Sequence, residues 1–98
     1  MEADEIKRMY EWIQQRVHLA DETDGIAITF DEPDAEAFSG AGFVPEAIER
    51  TLESDWWAEM VTDIIETPDF AEPGESPDQV LEYARDVVKE YVAKRLYT

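Results

Sequence analysis

The sequence predicts a mainly α-helical domain: three or four packed helices with a short β element, read as a hairpin, after the first helix. The alternative label is α+β. Three observations predict it. Three long stretches place apolar residues at three- and four-residue steps, the spacing of an amphipathic helix. One short stretch, residues 26–30, is rich in β-branched and aromatic side chains between Gly25 and Asp31, the signature of a strand. The chain has 98 residues, 44% of them hydrophobic and 11% aromatic, which suits one small acidic domain over 1–98 with a single core.

The first helix is expected over residues 2–19. Ile6, Met9, Tyr10, Ile13 and Val17 fall on one face, and Trp12 sits at its boundary. Glu2, Asp4 and Glu5 lie where the helix dipole favours anions, and Arg16 and His18 where it favours cations. A polar stretch then leads into the turn signal Asp24-Gly25. The strand Ile26-Ala27-Ile28-Thr29-Phe30 needs a pairing partner, because a lone strand leaves its ladder groups open. Residues 37–44 are the expected partner, across the turn Asp31-Glu32-Pro33-Asp34, with a second copy of the chain as the other source. Gly40 and Gly42 argue against a helix there.

A second helical region is expected over residues 45–66, opened by Pro45 and stopped by Thr67-Pro68. Ile48, Leu52, Trp56, Met60 and Ile64 form one row, and Trp57, Val61 and Ile65 the next. Ser54-Asp55 offers a fresh start, so the region is either one helix or two with a kink there. Residues 69–75, with Pro73-Gly74, read as a loop. The last helix opens on Ser76-Pro77-Asp78-Gln79, a capping-box pattern. Its stripe is Val80, Ala84, Val87, Val88 and Tyr91, widened by Leu81 and Val92, and Lys89, Lys94 and Arg95 complement the dipole at its end.

Charge narrows the function. Asp and Glu number 25 against 8 Lys and Arg, a net charge of -17. Direct nucleic-acid binding requires a cationic face, and docking on anionic membranes is equally disfavoured. No apolar run approaches the roughly 20 residues of a membrane span. The acidic start of the chain is not a signal-peptide pattern, so a cytoplasmic location is the default expectation. With no Cys, disulfides, thiolate zinc sites and cysteine nucleophiles are excluded.

The cations cluster at the two ends: Lys7, Arg8 and Arg16 in the first helix, and Arg85, Lys89, Lys94 and Arg95 in the last, with Arg50 between. Residues 51–84 contain no Lys or Arg but ten acids from Glu53 to Glu82. Among these, Asp55, Glu59, Asp63 and Glu66 are spaced four, four and three apart and make one carboxylate stripe if the helix is continuous. Like charges at that spacing repel by a few tenths of a kcal/mol per pair, about 0.2–0.5. The composition accounts for this cost in one of three ways. Only three lysines and abundant acids suit a salt-rich cytoplasm, where screening removes the repulsion, so the acidity reflects a halophilic host. Alternatively, the stripe is a DNA mimic. Its carboxylates are about 6 Å apart along the axis, comparable to phosphates at about 3.4 Å per charge, so it would inhibit a DNA-binding enzyme. The third account is a docking surface for a basic partner protein, with charge steering the association.

Chemistry is less legible. No catalytic, cofactor-binding or metal-ligating set stands out, and no cofactor is expected. His18 is the only histidine, and its spacing supplies no orienting partner. An enzyme built on His18 and the carboxylates is a minor alternative. With 25 acids, carboxylate pairs arise by chance. Residues 20–31 faintly follow a calcium loop around Gly25, but Ala20 occupies the first ligand position, so an EF-hand is rejected. Trp56-Trp57 is the most unusual local feature, because adjacent helical residues point 100° apart and are both buried only in a sandwiched helix or at a core edge. The core reading leads. The other reading has one Trp exposed as an anchor for a partner or for a second copy in a homodimer, joined by Tyr97. The expected role is therefore a small acidic, non-enzymatic protein-interaction module. Its speculative partner-binding residues are Asp55, Trp56, Trp57, Glu59, Asp63 and Glu66.

Overall fold

The computed structural model describes residues 2–20 and 25–96. Five α-helices and one two-stranded antiparallel hairpin run in the order α1 (Ala3–Gln14), β1 (Val17–Ala20), β2 (Ala27–Phe30), α2 (Ala35–Gly40), α3 (Pro45–Leu52), α4 (Trp56–Glu66) and α5 (Pro77–Leu96). A 3₁₀ turn, Thr67–Phe70, continues α4. The fold is thus mainly α with a short β element after the first helix. Residues 45–66 form two helices, the alternative with a break at Ser54-Asp55, and the one helix beyond the four expected is that of residues 35–40.

The first helix ends five residues before its expected limit. Its periodicity carries Ile6, Met9 and Ile13 into the core, then the Arg16 amide turns back to the Ile13 carbonyl at 2.9 Å. Val17 is still buried, but as a strand residue. The strand over residues 26–30 therefore pairs with the preceding segment, not with residues 37–44: Val17 faces Phe30, His18 faces Thr29, Leu19 faces Ile28 and Ala20 faces Ala27. The physical reason is the pleat. This register places Val17, Leu19, Ile28 and Phe30 on one side and His18 and Thr29 on the solvated side. Of the turn Asp24-Gly25, Asp24 lies outside the described residues, as do three further positions of the calcium-like stretch.

Residues 35–40 fold as α2 because both ends are capped. The Asp34 carboxylate accepts from the Ala37 amide at 2.8 Å. At the other end the Gly42 amide donates to the Ser39 carbonyl at 3.0 Å and the Phe43 amide to the Phe38 carbonyl at 3.2 Å. Gly42 holds the left-handed φ of +93° that this Schellman arrangement requires, and the Phe38 and Phe43 rings meet at 5.8 Å across it. Pro45 opens α3 as expected. The break at Glu53–Asp55 forms where the Ser54 hydroxyl donates to the Thr51 carbonyl at 2.6 Å, taking the place of a helical bond.

α5 begins at the expected cap, with the Ser76 hydroxyl accepting from the Gln79 amide at 3.2 Å. The reciprocal half of the box is absent, since the Gln79 side-chain amide donates instead to the Tyr83 hydroxyl at 2.8 Å. Val80, Ala84, Val88, Val92 and Leu96 form the buried row of α5, which packs on both α1 and α4. α4 lies between α5 and β2, so the core is continuous from Ile6 through Met60 and Ile64 to Val92.

Candidate functional site

The site predicted from sequence centres on α4, and the structure separates its members into two groups. Trp56 and Trp57 are both buried, each 8% exposed. They diverge around the helix as adjacent residues must. The Trp56 ring stacks on Tyr91 of α5 at 6.3 Å and 23°. The Trp57 ring lies 6.1 Å from Phe30 of β2 and 6.1 Å from Phe38 of α2. α4 is therefore the sandwiched helix, not a core edge, and neither ring is the exposed anchor of the other reading. Tyr97 lies outside the described residues.

The carboxylates occupy the flank of α4. Asp55 precedes the helix but keeps right-handed helical angles, so it prolongs the row with Glu59, Asp63 and Glu66. At 100° per residue the four lie within an arc of about 80°. Asp63 differs from the others. It is half-buried, and its Oδ2 accepts a short hydrogen bond from the Tyr91 hydroxyl. That bond is the main reason the Tyr91 hydroxyl is held well above its ordinary pKa. Partial burial and the charges of Asp63 and Glu59 add to the effect. Asp55, Glu59 and Glu66 are exposed.

The cations do not compensate this surface. Arg8 lies 4.5 Å over the Phe43 ring and donates to the Gly42 carbonyl at 3.3 Å. Arg16 lies 5.1 Å over Trp12 and donates to the Asp31 carbonyl at 2.9 Å. Arg85 donates to the Gln14 and Val17 carbonyls. Lys89 stands 5.9 Å over Tyr10. Among the described residues the ion pairs of Lys are Lys7 with Glu11 and Lys94 with Glu90, each within one helix. None reaches a carboxylate of residues 53–82.

Where α4 passes into the 3₁₀ turn, a cleft of about 300 Å³ opens against α5, lined by Asp63, Thr67, Phe70, Ala71, Tyr83 and Val87. Phe70 is 77% exposed, the most exposed large apolar side chain among the described residues. Sequence reasoning missed it by assigning residues 69–75 to a loop. The available signal was a lone Phe between acids and prolines, off any amphipathic period. Around the cleft, the Glu75 carboxylate accepts from the Glu72 amide at 2.8 Å, and both acids lie close enough to Tyr83 to act on its hydroxyl. The Gln79 hydrogen bond alone would lower the Tyr83 pKa, but the Glu75 carboxylate beside the hydroxyl, some burial and the charges of Glu75 and Glu72 together raise it.

His18 sits on the outer face of β1 with Nε2 3.2 Å from Asp31 Oδ2. Asp31 is thus the orienting partner that spacing did not reveal. Both side chains are about half exposed, and neither lines the cleft at Phe70. Among the described residues, no group of three or more His, Asp or Glu side chains is arranged to hold a metal ion. No helix among them is long and apolar enough to cross a membrane. No protein-family model, curated protein or solved structure matches the chain.

Proposed function

We propose that this chain is a small non-enzymatic interaction module that receives a basic partner protein on the acidic surface of α4 and the turn that follows it. The observation that carries the reading is the separation of charge. Among the described residues, no carboxylate of residues 53–82 pairs with Lys or Arg, while Lys7, Arg8, Arg16, Arg85, Lys89 and Lys94 are directed to carbonyls, aromatic faces and neighbours within their own helices. Such a surface complements a cationic partner at contact and selects against acidic ones. The acidity elsewhere on the chain fits a halophilic host, whose salt screens self-repulsion. A DNA mimic would use the same row of carboxylates, but the engagement of Asp63 with Tyr91 takes one of the four out of it.

The test compares the native chain with a variant carrying Asp55→Asn, Glu59→Gln and Glu66→Gln, each immobilised and exposed to proteins of the source cell. The reading expects a defined basic partner on the native chain, displaced by salt and much reduced on the variant. The same captured set on both proteins would overturn it. A partner that duplex DNA displaces would move the assignment to the DNA mimic.

A further inference from the structure

Resting on that reading, we propose that the cleft at Phe70 is the docking groove for a cationic amphipathic helix, whose apolar row covers Phe70 and whose flanking Lys or Arg side chains meet the surrounding carboxylates.

The argument begins with Phe70. A large apolar side chain that is 77% exposed has an unfavourable contact with water that its own fold does not relieve. It borders a concave surface with Ala71, Tyr83 and Val87, so an incoming apolar group would meet a shaped surface and not an isolated side chain. At about 300 Å³ the cleft is at the lower end of ligand-pocket volumes, roughly 300–1,000 Å³, and fits a few anchoring side chains better than a large cofactor.

Charge complementarity identifies the partner chemistry. The C-terminal end of α4 carries the negative end of the helix dipole and has no basic residue in its last turn. Glu66 stands at that end, and Asp69 follows in the 3₁₀ turn. Glu72 and Glu75 add their charges beside Tyr83. Oε2 of Glu75 is withdrawn from water and has no hydrogen-bond partner. Dipole and carboxylates thus act in the same direction, and a partner's cation at this point would supply the charge that α4 lacks. An acidic or purely apolar partner would leave that field uncompensated.

Geometry selects the helical form. The cleft is lined by residues of α4, the 3₁₀ turn, the adjoining Ala71 and α5, with no strand residue among them. Recognition in this cleft therefore runs through side chains, and a helix presents an apolar row and flanking cations together on one face.

The test uses the full chain and a fluorescent peptide of Leu and Lys with Leu at helical three- and four-residue steps. A scrambled isomer of the same composition serves as the control. Fluorescence anisotropy is expected to give affinity about tenfold tighter for the patterned peptide, equivalent to about 1.4 kcal/mol. Phe70→Ala is expected to remove that advantage. Val44→Ala, an exposed apolar residue that opens α3 and does not line the cleft, is expected to preserve it. Circular dichroism of each variant checks that the fold is retained. Equal binding of the two peptides, indifference to Phe70→Ala, or no binding of either would overturn this inference. None of these results bears on the capture experiment above, which alone decides whether the acidic surface of α4 receives a partner. Self-association of the chain that Phe70→Ala abolishes would also overturn it, since the groove would then serve a second copy.

Discussion

Gln14 and Arg85 hold each other in both directions across 71 positions of sequence: the Gln14 side-chain amide donates to the Arg85 carbonyl at 2.9 Å, and Arg85 Nε donates to the Gln14 carbonyl at 3.1 Å. The second arm of the guanidinium donates to the Val17 carbonyl at 3.2 Å. α1 has no basic residue in its own last turn, so Arg85 supplies from α5 the cation that its C-terminal dipole favours. The same group bridges the end of α1 to the start of β1 and holds the point where helix becomes strand.

Arg85→Ala should therefore destabilise the fold by about 2 kcal/mol, given that hydrogen bonds from a charged donor contribute about 1.5–3 kcal/mol. Arg85→Lys should recover part of this, because an ammonium provides the charge without the fork that reaches two carbonyls. Denaturant unfolding of the three proteins measures the difference. Equal midpoints would show that the bridge contributes nothing to stability.

The two glycines at the end of α2, Gly40 in its last turn and Gly42 just past it, should respond with opposite signs. Gly42 holds φ +93°, and an added Cβ would meet nothing nearer than an Arg8 nitrogen at 3.9 Å. Gly42→Ala therefore meets backbone strain alone, about 1–2 kcal/mol of destabilisation. Gly40 lies within the helix with open space around it. Gly40→Ala should stabilise by about 0.5–1 kcal/mol. Thermal melts of the two single variants suffice, and a shift of the same sign in both would refute the Schellman assignment.

Tyr91 makes an alkaline prediction. Its hydroxyl pKa is raised in the fold, first by the hydrogen bond to Asp63 and then by burial. Above pH ~10 the unfolded chain releases this proton while the folded chain keeps it, so stability falls as pH rises. Below pH ~10 the contribution is fully present. Tyr91→Phe should cost about 1 kcal/mol at neutral pH and make the decline above pH ~10 shallower. Tyr83, also raised, is common to both proteins and cancels in the comparison. Stability profiles that stay parallel through this range would contradict the assignment.

Salt should stabilise the chain. Its net charge is -17, and Asp55, Glu59, Asp63 and Glu66 have no basic partner among the described residues. Each like-charge pair at helical spacing costs about 0.2–0.5 kcal/mol until ions screen it. The melting temperature followed by circular dichroism should rise steadily from low salt to multimolar KCl. The Asp55→Asn, Glu59→Gln, Glu66→Gln variant should melt higher at low salt and show a weaker rise. A melting temperature independent of KCl would remove the support for salt adaptation.

Local patterns in the sequence determined the helical class, the Ser76 cap that starts α5, the start of α3 at Pro45 and the excess of negative charge. Each depends on residues within a few positions of one another, through caps, a preset φ or amphipathic spacing. For Trp56-Trp57 the sequence favoured the core but left a core edge and an exposed anchor open; that α5 covers one ring while β2 and α2 cover the other was decided by tertiary packing. The carboxylate row was legible as spacing. That Asp63 faces Tyr91 while Asp55, Glu59 and Glu66 remain in water was not, since it depends on where α5 lies. Tertiary structure alone decided that the chain leaves α1 for a strand at Val17. The spacing from Ile13 to Val17 suits a helix equally well, and the choice was made by ladder bonds to residues 27–30 and by a guanidinium from α5. It also decided that Phe70, one apolar residue in an acidic turn, stands at a cleft, because the far wall of that cleft comes from a helix that begins only at Pro77.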